Sequence, residues 1–261
     1  MTAPPPRIGT AGWSIPRESA PDLPGEGSHL ARYARGLPMG EINSSFYRPH
    51  APALYARWAA QVPPGFRFAV KLPKAVTHDA RLRAARAPLA AFATQVAGLG
   101  EALGVLLVQL PPSLVFEVRA VRGFFALLAE AFPAVGAGSV FVACEPRHAS
   151  WFTPAADGVL AAARVARVAA DPFRVPEAAR PGGWLGPAGD GAGADLYWRW
   201  HGAPRMYWSR YGDDWLQAAA AELARWPAGT RHWVVFDNTA GGGAMPNALA
   251  LARLTGVRAP A

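Results

Sequence analysis

The amino-acid sequence predicts a single-domain α/β protein, a (β/α)8 TIM barrel that spans residues 1–261. Short β-branched or aromatic runs alternate with longer stretches rich in Ala, Leu and Arg along the whole chain, as they do in repeated βα units. Several runs, including 105–110 and 140–144, are apolar almost throughout, which is typical of parallel strands covered on both faces. The length of 261 residues also suits one such barrel.

Eight strands are expected from the β-branched or aromatic runs, and they are 7–12, 39–43, 66–71, 105–110, 140–145, 164–169, 196–201 and 232–237. Five intervening segments carry apolar residues at helical spacing, and they are 51–61, 88–103, 118–132, 215–226 and 244–254. An open doubly wound sheet is the main alternative. That fold usually has a G-x-G-x-x-G turn after its first strand, and the TAGWS sequence at 10–14 does not match this spacing.

A loop rich in Pro and Gly at 172–194 interrupts the alternation of strands and helices. Loops of this length without regular structure are uncommon, and they are often lids or binding loops. A mobile insertion would have the same composition. The sequence leaves both interpretations of this loop open.

The composition excludes several classes of protein. The single cysteine, Cys144, excludes a disulfide framework and a zinc ribbon. No apolar run approaches the 18 or so residues of a membrane span, and the proline-rich start lacks the apolar core of a secretory signal, so we expect a cytoplasmic protein with no membrane partner. The net charge of +8 is compatible with a nucleic-acid partner, but abundant Ala, Gly and Pro also indicate a GC-rich coding bias that favours arginine.

Polar or aromatic groups occur at every predicted strand end, where TIM barrels place their chemistry. We expect Glu145, His148 and Glu41 to be catalytic. The residues expected to bind substrate are Trp13, Asn43, Tyr47, Lys71, His78, Gln109, Arg147, Trp151, Asp171, Arg199, His201, Tyr211, Asp237 and Asn238. Further aromatic side chains near these loops, such as Phe46 and Tyr207, could stack on a base or a sugar ring or serve only in packing.

Several of these segments together resemble the YecE-like family, TIM-barrel proteins catalogued as domain of unknown function 72. The matching stretches are IGTAGW at 8–13, EINSSFYR at 41–48, FAVK at 68–71 with TH at 77–78, QLPP at 109–112, EPRH at 145–148 with SW at 150–151, RWHG at 199–202, Tyr211, and FDN at 236–238 with NA at 247–248. The resemblance implies a TIM-barrel fold and no established activity. The chain departs from the family at 16–27, where many members have a Trp-Gly segment, and at Asp237, where many have Asn.

The carboxylates at the strand ends have two interpretations. Glu145, flanked by Arg147 and His148, could act as a general base or form a structural ion pair at the barrel mouth. Glu41 could be a second acid–base group, or it could pair with Lys71 inside the barrel. A Schiff base at Lys71 would require a lowered pKa, whereas adjacent carboxylates would raise it.

The strand ends also carry residue types that can bind a metal ion or a phosphate. Glu41, Glu145, His148, Asp171, His201 and Asp237 could converge on a divalent metal, although no motif of metal-ligand spacing is present and the sequence requires no cofactor. Gly241, Gly242 and Gly243 lead into a predicted helix, whose backbone N–H groups could hold a phosphate. A glycine-rich turn capped by Asn238 explains the same residues without a ligand.

The favoured hypothesis is an enzyme that uses Glu145, His148 and Glu41 in acid–base chemistry on a small phosphorylated or otherwise anionic substrate. Arg147, Arg199 and Lys71 would orient the anion, and the reaction would be phosphoester hydrolysis or a sugar-type isomerisation. The alternatives are a non-catalytic nucleic-acid-binding or regulatory barrel and a metal-assisted endonuclease. The sequence does not determine the oligomeric state.

Overall fold

A computed structural model describes residues 4–136, 139–186 and 194–257. The strands in this part of the chain are β1 (Arg7–Thr10), β2 (Met39–Ile42), β3 (Arg67–Lys71), β4 (Leu103–Gln109), β5 (Phe141–Glu145), β6 (Val165–Arg167), β7 (Ala169–Asp171), β8 (Gly182–Gly183), β9 (Asp195–Trp200) and β10 (Arg231–Phe236). The α-helices are α1 (His29–Tyr33), α2 (Ser44–Tyr47), α3 (Pro52–Ala59), α4 (Arg86–Val96), α5 (Val118–Ala131), α6 (Pro133–Gly136), α7 (Pro154–Ala162), α8 (Asp213–Ala224) and α9 (Ala244–Leu254).

The strands form two sheets. One sheet has the order β1-β10-β9-β7 and is parallel throughout. The other has the order β2-β3-β4-β5-β6-β8 and is parallel apart from its short last strand, β8, which runs antiparallel to β6. Because the strands are parallel, their carboxyl ends lie at the same edge of each sheet. The chain is therefore a mixed α/β protein with parallel sheets.

The sequence predicts one closed sheet of eight strands, and the hydrogen-bonded strands instead form two separate sheets. The predicted strand 164–169 is divided, since β6 pairs with β5 while β7 pairs with β9. Near the other border, β1 ends at Thr10, and the contact with β2 is reduced to one parallel bridge between Ala11 and Glu41. Gly12 N–H donates to the Glu41 carbonyl oxygen there at 2.8 Å.

Two apolar clusters hold the sheets in place. The smaller cluster brings inward-facing strand residues of both sheets together, among them Met39, Leu107, Tyr197 and Val235. The larger cluster lies between the strands and the helices. Strand residues therefore pack on both faces, which explains the near-continuous apolar runs in the sequence.

Local signals in the sequence set several helix starts. The Ser28 side chain accepts a hydrogen bond from Ala31 N–H at the start of α1, and Glu117 accepts from two N–H groups at the start of α5. Thr153 caps α7 and Pro154 occupies the first turn of that helix. The predicted helix 88–103 ends early, because a 3-10 segment at Ala97–Ala102 contains a positive φ at Gly100 and leads directly into β4.

The Pro/Gly-rich segment 172–194 is more ordered than its composition indicates. It contains a 3-10 turn at Pro176–Ala179 and the strand β8, while residues 187–193 of the predicted loop lie outside the described part of the chain. Within the described ranges, no helix is both long enough and apolar enough to cross a bilayer.

Candidate functional site

The strand ends converge on a cluster of buried charges, which we call the carboxyl-end cluster. It is centred on Arg199, whose side chain is fully buried at the end of β9. Its other members lie at or just after the ends of their strands, and they are Glu41, Lys71, Glu145, Arg147, His201 and Asp237. All of these residues are predicted site residues, and the structure brings them together.

Arg199 contacts three carboxylates at once. Its Nη2 lies 2.7 Å from Glu41 Oε1 and its Nε 3.1 Å from Glu41 Oε2. Nη1 donates to Glu145 Oε2 at 2.5 Å, and Nη2 also donates to Asp237 Oδ2 at 3.0 Å. These carboxylates raise the pKa of the guanidinium well above its ordinary value, although burial acts in the opposite direction. Arg199 is therefore a permanent cation that joins β2, β5, β9 and the end of β10.

The residue spacing along β9 explains how this strand supplies several members of the site. Side chains two residues apart in a strand point to the same face, so Tyr197, Arg199 and His201 share one side. Tyr197 O–H donates to Glu41 Oε2 at 2.8 Å. Burial, and next the charge of Glu41, raise the pKa of Tyr197 well above its ordinary value, so the phenol keeps its proton and remains a hydrogen-bond donor.

His201 lies between two carboxylates. Its Nδ1 is 3.0 Å from Asp237 Oδ2, and its Nε2 is 3.0 Å from Glu145 Oε1. Only the imidazolium form has a proton on both nitrogens and can donate to both acceptors. Burial opposes the charged form, but the charge of Glu145 and the two hydrogen bonds raise the pKa of His201 above its ordinary value.

The carboxylate of Glu145 accepts four hydrogen bonds. Its Oε1 accepts from Arg147 Nε at 3.3 Å, from Arg147 Nη2 at 3.1 Å and from His201, while Oε2 accepts from Arg199. Although burial favours the neutral acid, the charges of Arg199, Arg147 and His201 hold the pKa of Glu145 well below its ordinary value. Arg199 likewise lowers the pKa of Asp237 despite burial. These carboxylates are ionised counter-charges and have little capacity left to accept a proton.

Lys71 differs from the other charged members of the cluster because it has no ion-pair partner among the described residues. Its Nζ lies 4.1 Å from the centroid of the Phe46 ring, and among the described residues it forms no ion pair, since Arg199 takes Glu41, Glu145 and Asp237. Of the two interpretations of Glu41 in the sequence, the ion pair with Lys71 does not form among the described residues, because Glu41 pairs with Arg199. Burial, and next the charge of Arg199, lower the pKa of Lys71 to about 8, which outweighs the opposing effect of the carboxylates.

His78 lies near Lys71, on a π-helical turn at Ala75–Asp79. Its ring packs edge-on against Phe46 with 4.9 Å between centroids, and its Nδ1 is 2.9 Å from Thr77 Oγ1. Burial, and next the charge of Lys71, lower the pKa of His78. Phe46 therefore separates a lysine ammonium from a histidine that is neutral at physiological pH.

The donor set does not fit a divalent metal. The three carboxylates of the cluster accept hydrogen bonds from guanidinium groups that a metal would have to displace. Across residues 4–136, 139–186 and 194–257, no group of three or more His, Cys, Asp or Glu side chains is arranged to hold a metal ion.

Four predicted residues lie outside this network of contacts. His148 Nδ1 accepts from Ser150 N–H at 3.2 Å and caps a 3-10 turn. Trp151 is fully buried and donates to the Leu114 carbonyl oxygen at 2.8 Å. Trp13 packs edge-on against Trp58 and Phe68, and Tyr47 is 79% exposed. Their predicted catalytic or binding roles stay predictions, and their contacts here are structural.

Gln109 and Asn43 lie close to the cluster along their strands. Gln109 is buried at the end of β4, in register with Glu145 of β5. Asn43 follows β2 directly, and its Oδ1 is buried without a hydrogen-bond partner among the described residues. Both positions suit residues that contact a substrate, as the sequence analysis expects.

A second polar group surrounds Tyr211. Tyr211 O–H donates to Asp171 Oδ1 at 2.6 Å and accepts from Gly202 N–H at 2.9 Å. Asn247 exchanges two hydrogen bonds with the Tyr211 backbone and accepts from Asn238 Nδ2 at 3.0 Å. These bonds hold the segment after β9 against the start of α9.

The predicted phosphate loop is closely packed. A Cβ on Gly241 would lie 2.5 Å from the Trp208 carbonyl oxygen, and a Cβ on Gly243 would lie 2.8 Å from Asn238 Nδ2. Gly242 has a φ of +74°, a left-handed conformation that favours glycine. Close packing of the segment around Trp208 therefore accounts for these glycines, and the phosphate role of Gly241, Gly242 and Gly243 stays a prediction.

A small cavity of about 70 Å³ adjoins the cluster, lined in part by Glu145, Arg147 and His201. Its opposite side is formed by the first part of the Pro/Gly-rich segment, including Phe173 and Val175. The cavity is large enough to hold ordered water. The segment after β7 therefore covers one side of the cluster.

Two residues were missing from the sequence analysis of the site. Tyr197 donates to Glu41, and Asn247 holds Tyr211 and Asn238. The alternation along β9 could have indicated Tyr197, which lies two residues before Arg199. Asn247 belongs to a stretch that matches the family, which is the signal that the sequence offers for it, and the folded chain brings it next to Asn238.

The comparisons with known proteins agree with one another. A family model described as "Protein of unknown function DUF72" matches residues 7–261. UPF0759 protein YecE of Escherichia coli K12 is 31% identical over 104 residues, which is 40% of this chain and 37% of the length of that protein. A DUF72 family protein of Enterococcus faecalis V583 superposes with a TM-score of 0.73 at 21% identity, covering 96% of this chain and 95% of that one. A DUF72 family protein of Thermotoga maritima MSB8 gives 0.68 at 23% identity, covering 95% and 98%.

Proposed function

The chain belongs to the DUF72 family, and from this premise we propose that it is an enzyme that binds a small anionic substrate at the carboxyl-end cluster, with Lys71 as the cation that receives the anion. The observation that carries the proposal is the charge balance of the cluster. Arg199, Arg147 and His201 are each bonded to the carboxylates of Glu41, Glu145 or Asp237. Lys71 has no carboxylate partner among the described residues, so an anionic substrate would supply the negative charge that balances it.

The burial of Lys71 makes it a suitable anion receptor. An ammonium group held in a low-dielectric site attracts an anion more strongly than one in water. The charge of Arg199 adds to the positive potential at this site and lowers the pKa of Lys71. A bound phosphate or carboxylate would relieve that repulsion, and this supports the phosphorylated or anionic substrate expected from the sequence.

Lys71 is also the best candidate for the acid–base group. Its pKa of about 8 leaves it mostly protonated at neutral pH but close enough to pH 7 to release a proton. Glu145 and Glu41 are poorer candidates, since their oxygens already accept from Arg199 and its neighbours, and His148 caps a turn. His78 is also a poorer candidate, because its lowered pKa makes it a weak base and the Phe46 ring packs against both it and Lys71.

Both reactions left open by the sequence, an isomerisation-type proton transfer and phosphoester hydrolysis, would have to use Lys71 as their acid–base group. Hydrolysis needs a base or a metal to activate water. The carboxylates that could do so are bound by guanidinium or imidazolium groups. The network is instead a rigid set of charges, of the kind that stabilises charge developing in a substrate.

We also propose that the two sheets together form the eight-stranded barrel expected from the sequence. The divided strand β6–β7 belongs to both sheets, and the Ala11–Glu41 bridge links β1 to β2. The apolar cluster that contains Met39 and Val235 packs the inner faces of the two sheets together. In such a barrel, the carboxyl-end cluster occupies the usual position of an active site.

Site-specific acetylation tests the proposal, because the chain has only two lysines, Lys71 and Lys74. Lys74 is half-exposed and paired with Asp79, so it is an internal control. We expect sugar phosphates or small carboxylates to protect Lys71 from acetic anhydride and to leave Lys74 unchanged, as read by peptide mass spectrometry. If none of a broad panel of small anions protects Lys71, the proposal is wrong.

A further inference from the structure

A second cavity lies at the amino ends of the strands, opposite the carboxyl-end cluster. It has a volume of about 290 Å³. The residues that begin β1, β3, β9 and β10 line it, and they are Arg7, Arg67, Asp195 and Arg231. Arg164, just before β6, lines it as well. Because the strands are parallel, this end of the sheets is distinct from the end that carries Lys71 and Arg199.

The charges around this amino-end cavity are unbalanced. Asp195 accepts from Arg231 Nε at 2.9 Å, forms a second contact with Arg231 Nη2, and accepts from Trp233 Nε1 at 3.0 Å. Arg7 donates to the Gly65 carbonyl oxygen at 2.8 Å, and Arg67 donates to the Phe66 carbonyl oxygen at 3.0 Å. Among the residues that the structure describes, Asp195 is the only acidic side chain lining the cavity, against four guanidinium groups.

The arginines are close enough to affect one another. Burial lowers the pKa of Arg7, and the charges of Arg67 and Arg231 lower it further, while Asp195 opposes them. The Arg7 guanidinium also lies over the Trp233 ring, 5.2 Å from the ring centroid. Like charges held together at a partly buried site repel one another unless an anion joins them.

The fold keeps the floor of this cavity rigid. Trp233 is almost fully buried and stacks on Phe141 with 6.5 Å between ring centroids. Gly104 makes room for Trp233, since a Cβ at that position would lie 2.8 Å from the indole ring. The walls are also anchored, because Arg7 and Arg67 are held by backbone carbonyl oxygens. Arg7 and Arg67 are therefore positioned before any ligand arrives.

We propose that the amino-end cavity binds the phosphate group of a small phosphorylated ligand. A phosphate monoester carries a charge of about −1.5 to −2 at pH 7, which matches the excess of guanidinium groups. Guanidinium groups bind phosphate oxygens in a bidentate manner. The volume of 290 Å³ is close to that of the smallest ordinary ligand pockets, about 300 Å³, so a cavity of this size favours a small molecule over a polymer.

Titration calorimetry with pyrophosphate tests this inference. We expect the wild-type chain to bind it and Arg67→Gln to weaken the affinity at least tenfold. Arg164→Gln, at an exposed position, should weaken it as well without a risk to folding. The control is Arg122→Gln, which removes the same charge from an exposed position on α5 and should change the affinity less than twofold.

Four results would overturn the inference. Pyrophosphate could fail to bind, or Arg67→Gln and Arg164→Gln could behave like Arg122→Gln. A single-stranded oligonucleotide could also bind more tightly than pyrophosphate, with a steep loss of affinity at higher salt, which would indicate a nucleic-acid surface. Lys71→Met distinguishes binding at the amino-end cavity from binding at the carboxyl-end cluster. Loss of pyrophosphate binding in that variant alone would contradict this inference and support the proposed function.

Discussion

Arg199 Nη2 lies 2.7 Å from Glu41 Oε1, and both side chains are fully buried. The two residues are separated by 158 positions in the sequence and belong to different sheets. This contact therefore links the sheet that contains β9 to the sheet that contains β2. With Glu145 and Asp237 on the same guanidinium, it makes Arg199 a structural as well as an electrostatic centre.

Arg199→Met should destabilise the chain strongly. The substitution would leave the carboxylates of Glu41, Glu145 and Asp237 without their shared cation, and breaking a buried ion pair costs about 3–5 kcal/mol. Urea denaturation followed by circular dichroism measures the loss. Arg210→Met is the control, because its half-exposed pair with Glu18 should contribute less than about 1 kcal/mol. Similar stabilities for the two variants would refute the central role of Arg199.

His201 should make stability fall as pH rises above 6.5. Its folded-state pKa is raised above 6.5, so between pH 6.5 and the folded-state pKa the folded chain holds a proton that the unfolded chain has lost. The free energy of unfolding therefore decreases across that window, and the contribution is complete below pH 6.5. Urea denaturation at several pH values should show this slope in the wild-type chain and a smaller slope in His201→Gln. An unchanged slope in the variant would show that His201 is neutral.

His232 should act in the opposite direction at lower pH. Burial lowers its pKa to about 4, and its Nδ1 accepts from Trp198 Nε1 at 3.1 Å, which requires an unprotonated nitrogen. Between pH 6.5 and 4 the unfolded chain binds the proton first, so stability falls as pH falls. His232→Asn retains an acceptor near the same position and should flatten the curve in that window. The exposed His29→Gln variant should follow the wild-type curve.

Much of the fold is predictable because strand and helix periods are local properties. The run at 232–237 corresponds to β10, and the helix predicted at 244–254 corresponds to α9. The helix α7 was missed, since its Ala-rich sequence has no clear apolar stripe, even though Thr153 and Pro154 are a start signal. The division of 164–169 between two sheets depends on pairing with β5 and β9, which are distant in sequence.

The members of the carboxyl-end cluster were predictable, but their partners were not. Parallel strands bring their last residues to one edge, so Glu41, Glu145 and Arg199 could be selected from sequence alone. The choice between Lys71 and Arg199 as the partner of Glu41 depends on side-chain geometry across the sheets. The pKa of Lys71 follows from that choice, because a lysine paired with Glu41 would have a raised pKa.

Gly241→Ala should destabilise the chain through a steric clash. The new Cβ would lie 2.5 Å from the Trp208 carbonyl oxygen, so the segment after β9 would have to move, and overpacking of this kind costs about 1–3 kcal/mol. Gly123→Ala, in the exposed interior of α5 with no atom within 4 Å of the new Cβ, should stabilise the chain by about 0.5–1 kcal/mol. Thermal unfolding distinguishes the two, and a neutral Gly241→Ala would show that the loop adapts freely.

Anion binding at the carboxyl-end cluster should weaken as pH rises from 7 to 9. Lys71, with a pKa of about 8, loses its charge in this range, whereas Arg147 and Arg199 remain cationic. A bound anion stabilises the ammonium, so the midpoint of the loss should lie above pH 8. Calorimetry with a sugar phosphate measures the affinity at each pH.

Lys71→Arg is the decisive control for this pH dependence, because a guanidinium stays charged throughout the range. The variant should bind the sugar phosphate with an affinity that changes little between pH 7 and 9, and Lys71→Met should lose at least tenfold in affinity already at pH 7. Lys74→Met should retain the wild-type curve, since Lys74 is half-exposed and pairs with Asp79 away from the cluster. A flat curve in the wild-type chain would mean that binding does not change the protonation of Lys71, and that another cation receives the anion.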